Sequence, residues 1–362
     1  MLANAIADLD IAVKRLGVIL EPNGDPSEVE GVLNPACARS RAGELLLYPR
    51  DVARGNISRV GLVRVNEAHC ERLGFALEAQ APYELRPHPG YGCEDPRVTF
   101  IAALDQFVMS YTAFGPDGPR IAIALSSDGF SWERLGLLQF HRPGMHIGDD
   151  KDAAFFPEPV TSPAGVLSLA FYHRPMLHLS AVDGRAAIPM IEKMPFVDRE
   201  SIRMGYIPLE PVLTDRSKLL EVAESVLVMS PDAQWGSLKL GCGTPPVRIA
   251  EGWMSLFHAV DVLDFEAVKP KFRYSAGIMI HDAQHPEQII YRSPKPVLTP
   301  ETDAEMKGIV DNVVFPTGID PRPDLGERVF DVYYGMADYK IGGARVTLGE
   351  SGENREPAES AA

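Results

Sequence analysis

Short apolar runs, each closing on an aromatic or polar cluster, recur five times along the chain. They are Leu45 to Tyr48, Phe107 to Tyr111, Leu167 to Tyr172, Trp253 to His258 and Val329 to Tyr334. Runs of this length between Gly and Pro punctuation predict strands rather than helices. A proline-containing segment precedes each aromatic by 12 to 17 residues and reads as a turn: NPACA from Asn34, EDPRV from Glu94, FFPEPV from Phe155, GTPPVR from Gly243 and VVFPTG from Val313. The aromatics Tyr48, Tyr111, Tyr172, Phe257 and Tyr333 lie 61 to 85 residues apart. That is room for a four-stranded antiparallel unit each time, with two larger insertions. A weaker repeat, SSDGFSW from Ser126 and SPDAQW from Ser230, has hairpin chemistry followed by a Trp suited to packing between sheets.

Five such units predict an all-β fold, a five-bladed β-propeller, in which each blade buries a face against its neighbours. A β-sandwich with chance strand similarity is the plainer alternative, and alternating βαβ is disfavoured because helix-period segments are scarce. The clearest helical segment is Ser217 to Val228, within an insertion at about 181–234. Residues 1–348 are expected to form a single catalytic domain. Residues 349–362 lack core residues and are expected to be a disordered tail.

Charge narrows the function. Against 35 Lys and Arg stand 50 Asp and Glu, a net charge of −15, which disfavours nucleic acid and anionic membrane as partners. A phosphate would need a local basic pocket inside this acidic shell. No apolar run approaches a spanning helix, and Asp8 and Asp10 interrupt the N-terminal segment, so no signal peptide is expected. The four cysteines show no CxxC spacing. Together these predict a cytoplasmic protein with reduced thiols.

The candidate chemistry lies in the polar residues of the proline segments and strand ends, which a propeller brings to one end of its axis. Glu94-Asp95-Pro96-Arg97 is the sharpest: two adjacent acids are expected to point apart, one into the channel and one bracing Arg97. The apolar flanks predict partial burial and a raised carboxyl pKa, suited to proton donation. The acids expected to converge are Asp95, Glu158, Asp311 and Asp338, and the basic groups Arg50, Lys151, Arg174, Lys239 and His258. Such a mixture suits a sugar together with an anion. No HxH, HExxH, phosphate-loop or GxGxxG spacing occurs, so no metal and no cofactor is expected.

The ordered motifs NPA at Asn34, LLYPR ending at Arg50, GCEDPRVTF around Asp95, SYTAF at Ser110, KDAAFFPE at Lys151, HRP at His173, KLGCGTPPVR at Lys239, GWMSLFHAV reaching His258, DNVVFPTG at Asp311 and YYGMAD ending at Asp338 resemble glycoside hydrolase family 130 over roughly residues 30–346. The resemblance implies a five-bladed β-propeller that cleaves β-mannosides with inversion. Asp95 matches the family's catalytic acid, which acts through the 3-hydroxyl of the mannosyl unit. Phosphate then attacks C1 and gives α-mannose 1-phosphate. Arg50, Lys239 and His258 match phosphate-contacting positions. Substrate contacts are expected from Asn34, Glu94, Arg97, Tyr111, Lys151, Asp152, Glu158, His173, Arg174, Asp311, Tyr334 and Asp338.

The expected partners are therefore a small carbohydrate and inorganic phosphate as co-substrate. The long insertion could supply homo-oligomer contacts or wall the acceptor side. The competing readings are an inverting β-mannosidase with Glu158 or Asp338 as base, and a non-catalytic sugar-binding propeller. SPD at Ser230 and HRP at His173 lean towards β-1,2 linkages. The chain departs from the family pattern at Pro49, at Ala259 and in the acidic Gly148-Asp149-Asp150.

Overall fold

The five aromatic-bearing runs are strands, and each is the second strand of a four-stranded antiparallel unit. A computed structural model of the chain describes residues 6, 9–66, 69–140, 148–177, 184–267 and 270–349. The first unit is Gly31–Arg39, Leu45–Ala53, Ile57–Val65 and Cys70–Leu77. The second is Tyr91–Ile101, Gln106–Gly115, Gly118–Ser126 and Glu133–Leu137. Asp150–Phe155, Leu167–Pro175, Ile202–Pro208 and Glu224–Met229 form the third. Lys239–Cys242, Gly252–Asp264, Lys271–Asp282 and Ile289–Arg292 form the fourth. Val314–Pro321, Val329–Met336 and Lys340–Leu348 begin the fifth, and Ile11–Leu20 from the N-terminal end completes it.

Burial explains the pairing of units. Five apolar clusters each join two successive units, and one of them links the fifth to the first through Tyr333, Ile341, Val32 and Leu47. The two turn-borne tryptophans act as expected. Trp132 meets Tyr48 of the preceding unit edge-on at 5.5 Å, and Trp235 stacks on Phe257 at 5.2 Å. Gly277 leaves the space for that stack, since a Cβ there would overlap both rings.

Two expectations need correction. Three of the five proline segments are not turns leading into inner strands, whereas FFPEPV and GTPPVR leave the first strand and lie in the connection before the aromatic-bearing one. NPA, EDPR and VFPTG lie inside the first strands of their units, where bulges break the ladder and tolerate proline. The segment expected as a helix over Ser217 to Val228 is a short 3-10 turn, Arg216–Leu220, followed by strands Glu221–Val222 and Glu224–Met229. Alternating Val222, Val226 and Val228 favour extended backbone, and the Ile202–Pro208 strand offers a free edge to pair with. The insertion at about 181–234 thus supplies two strands of the third unit. Its helices are Gly184–Lys193 and Leu209–Thr214. Residues 181–183 and 350–362, which fall within the expected insertion and tail, lie outside the described residues. Among the described residues no helix is long and apolar enough to cross a membrane.

Candidate active site

Three consecutive units carry the same local distortion. In each first strand an extra residue breaks the register, between Leu33 and Ala36, Glu94 and Arg97, and Lys151 and Ala154. At the break stand Asn34, Asp95 and Asp152, with φ of 43°, 46° and 59°. Asn and Asp are the side-chain-bearing residues that best tolerate left-handed backbone, which explains why these types occupy the bulges. A bulge also re-aims side chains out of strict alternation. That is why adjacent Glu94 and Asp95 reach the same guanidinium instead of pointing apart.

That guanidinium belongs to Arg50. It donates to Glu94 Oε1 at 2.9 Å and Asp95 Oδ1 at 3.3 Å, and further to Asn56 Oδ1 at 3.1 Å and Ser58 Oγ at 2.9 Å. Lys151 Nζ donates to Glu94 Oε2 at 2.9 Å, and Asn34 Nδ2 to Asp95 Oδ1 at 2.8 Å. Gly335 of YYG makes room for Asn34, because a Cβ at Gly335 would overlap its side-chain oxygen. Burial opposes the Asp95 charge, but Arg50, Lys151, Arg97 and the Asn34 amide outweigh it and hold the carboxyl below its ordinary value. The raised carboxyl expected at Asp95 is instead Asp338. Desolvation pushes it up to about 6; Arg50 opposes this, and the Asp95 and Glu94 charges add to it.

A second cluster centres on Asp152. Its Oδ2 accepts Arg174 Nε at 2.7 Å and lies 3.5 Å from His258 Nε2, while Oδ1 is 3.6 Å from Arg97 Nη2. Gly241 is required here, since its Cβ would collide with both Asp152 and the His258 ring. Arg174 Nη1 also pairs with Glu200, and Lys239 Nζ lies 5.6 Å from the Tyr274 ring centroid. Against the effect of burial, Arg174 and Arg97 hold Asp152 well below the usual carboxylate range. Burial, with Arg174, Arg97 and Lys239 adding to it against Asp152, lowers His258 to about 3. It is therefore a neutral hydrogen-bonding group rather than the cation expected from sequence. Among the described residues its buried Nδ1 has no hydrogen-bond partner. Lys239 is pushed upward, first by Tyr274 and then by the Glu200 charge.

Arg97 ties the two clusters together. It donates to the carbonyls of Asp95 (2.9 Å), Cys242 (3.0 Å) and Gly243 (2.9 Å), joining the second unit to the fourth. Its side chain is fully buried. It is thus a strut under the site, and among the described residues no acid lies within hydrogen-bond distance of it, Asp152 Oδ1 standing at 3.6 Å.

Several expected substrate residues stand elsewhere. Tyr111 donates to buried Glu84, which also takes Arg134; Tyr334 donates to buried Glu305, which also takes Arg15. Both rings sit in apolar clusters between units, so the repeated aromatics are core anchors. His173 is buried between Asp150 (2.7 Å) and Ser225 (2.8 Å). It thereby pairs with one of the two acids of the Gly148-Asp149-Asp150 segment, where the chain departs from the family pattern. Glu158 and Asp311 are exposed. Asp311 accepts the Gly308 N–H at 3.3 Å within its own loop. Arg50 belongs to the Asp95 cluster, and the cation beside Lys239 and His258 is Arg174. Sequence reasoning missed Glu200 and Tyr274, which lie outside every repeated motif, and Phe315, whose ring centroid is 4.2 Å from that of His258.

Among the described residues, no group of three or more His, Cys, Asp or Glu side chains could hold a metal ion. The family model of glycoside hydrolase family 130, described as beta-1,4-mannooligosaccharide phosphorylase, matches residues 208–351. A 1,2-beta-oligomannan phosphorylase of Thermoanaerobacter sp. (strain X514) is 28% identical over 254 residues, 69% of this chain and 67% of the relative. A beta-1,2-mannobiose phosphorylase of the same organism is 29% identical over 260 residues, 71% and 67% respectively. The beta-1,2-mannobiose phosphorylase of Listeria innocua, solved with beta-1,2-mannobiose, superposes with a TM-score of 0.68 at 19% identity, covering 92% of this chain and 96% of that one. At that identity the likeness is one of fold.

Proposed function

We propose that the chain is an enzyme of glycoside hydrolase family 130, an inverting β-mannoside phosphorylase built as a five-bladed β-propeller. Five four-stranded units, with apolar cores between successive units and from the fifth back to the first, support the propeller. The observation that carries the function is the pairing of two unlike clusters across Arg97. One is rich in carboxyls around Asp95. The other holds Arg174, Lys239 and the unpartnered His258 Nδ1, within a chain of net charge −15. A phosphorolytic site needs both, a proton donor for the leaving oxygen and cations for a dianion beside it.

In this mechanism the mannosyl unit lies over Asn34, Asp95 and Asp338, and phosphate over Arg174, Lys239 and His258. Asp95 supplies a proton through the mannosyl 3-hydroxyl to the glycosidic oxygen, and the C1–O bond to the acceptor breaks. A phosphate oxygen forms the new bond to C1 from the opposite face. The products are α-mannose 1-phosphate and the free acceptor. Asp95 rests ionised beside Arg50, so the proton it passes on comes first from Asp338, the carboxyl raised to about 6, which is left ionised when the glycosidic oxygen is protonated. Phosphate is the only co-substrate, and no cofactor takes part. Three relatives named for β-1,2-mannoside substrates, which match 69% to 82% of the chain, support a β-1,2-linked mannobiose or oligomannan as substrate. Four free thiols fit the cytoplasm as its location.

The test is the reverse reaction. Purified protein with α-mannose 1-phosphate and a panel of acceptors is expected to release phosphate with mannose or β-1,2-mannobiose. Silence across the panel, together with hydrolysis of β-mannobiose in phosphate-free buffer, would make it a mannosidase.

A further inference from the structure

We propose that Glu200 is an internal stand-in for phosphate, which holds Arg174 in the resting enzyme and swings away when the anion binds. This rests on the phosphorylase reading. Arg174 is bonded on one side to Asp152 at 2.7 Å and on the other, through Nη1, to Glu200. The side chains of Arg174 and Glu200 are 6% and 12% exposed, so the pair is nearly dry and its charges are weakly screened. The Glu200 carbonyl accepts the Leu240 N–H at 3.0 Å, which fixes its backbone beside the strand that begins at Lys239.

Charge counting favours displacement. Arg97, Arg174 and Lys239 against Asp152 and Glu200 leave one net positive charge, and a phosphate dianion would overshoot it. With Glu200 turned away, the same cations balance the dianion.

The side chain has somewhere to go. Glu200 forms part of the wall of two cavities. One, of about 170 Å³, it shares with Lys239 and Tyr274; the other, of about 330 Å³, it shares with Arg199 and Arg203. The Arg203 guanidinium donates to Ser225 Oγ and Ser225 O, each at 3.1 Å. No carboxylate among the described residues is hydrogen-bonded to it. Arg203 is the alternative partner for a displaced Glu200.

Calorimetric titration of inorganic phosphate into the folded protein tests this without relying on turnover. Glu200→Gln is expected to bind phosphate about tenfold more tightly than wild type, a difference of about 1.4 kcal/mol, because Arg174 no longer has to exchange one anion for another. Glu200→Asp should restore the wild-type value. Arg203→Met should weaken phosphate binding, because Glu200 then loses its second partner. In the phosphorolysis assay, Glu200→Gln should lower KM for phosphate by a similar factor while KM for the mannoside stays within twofold. Unchanged or weaker phosphate binding in Glu200→Gln would overturn the proposal. Phosphate-independent hydrolysis by wild type would instead overturn the phosphorylase reading, and the calorimetric comparison would still decide the role of Glu200.

Discussion

Replacing Arg97 with Met is the sharpest test of how the site is supported. The substitution keeps an unbranched apolar stem and removes a guanidinium that donates to three backbone carbonyls at 2.9, 2.9 and 3.0 Å. A hydrogen bond from a charged donor contributes about 1.5–3 kcal/mol, so the three together come to roughly 4–9 kcal/mol before the relief of no longer burying a charge. Breaking a buried charged network by deleting one partner costs about 3–5 kcal/mol, and we expect the net loss there. For a chain of this size each kcal/mol moves Tm by roughly 2 °C, which predicts a fall of about 6–10 °C. Activity should drop as well, because the Asp95 backbone and the Cys242-Gly243 segment lose their common tether. The assay is thermal and urea unfolding followed by tryptophan fluorescence, with Arg97→Lys as the control that keeps the charge but not the fork. A Tm within about 1 °C of wild type, with full turnover, would refute the strut.

Asp95→Asn should abolish turnover while leaving sugar binding nearly intact, with a lower Tm because Arg50 loses a carboxylate partner; near-normal activity would remove Asp95 from the proton-donor role. Lys239→Ala should raise KM for phosphate far more than KM for the mannoside, and equal changes would argue against an anion site there. The pH profile should reflect Asp338. Its folded pKa is raised to about 6, so the protonated form is favoured in the fold and the proton is lost as pH rises through that value. The kcat/KM of wild type should therefore fall above about pH 6, and Asp338→Asn, which holds no transferable proton, should be slow at every pH and lack that limb. The same sign applies to stability: relative to wild type, Asp338→Asn should gain stability as pH rises from about 4 to about 6 and keep a constant gain above that, measured by urea midpoints.

What the sequence revealed and what it hid follow from the physics of each feature. Strand-forming runs and their aromatic period carry strong local signals, so the second strand of every unit could be read directly. The Pro segments misled because proline in a bulged strand and proline in a turn look alike until the register is known, as at Asn34-Pro35 and Asp95-Pro96. Tyr111 and Tyr334 sit in motifs beside site residues, yet strand alternation turns them to the core, where Glu84 and Glu305 receive their hydroxyls. Arg174 and Asp152 were named from sequence, but only the fold brings Glu200, from a segment with no repeat, onto Arg174. The Ser217 to Val228 segment has helical composition, and the open edge of Ile202–Pro208 decided otherwise. Charges also depend on neighbours that sequence does not disclose. Asp95 next to Arg50 is lowered, the reverse of what its flanking residues suggested, and the raised carboxyl is Asp338.

The central claim is that phosphate, and not water, attacks C1 with inversion. The direct measurement is a proton and phosphorus NMR time course of β-1,2-mannobiose with the enzyme, run with and without inorganic phosphate. The account predicts α-mannose 1-phosphate and mannose accumulating together, and only when phosphate is present. Free mannose formed at the same rate without phosphate, or a β-configured sugar phosphate, would contradict it.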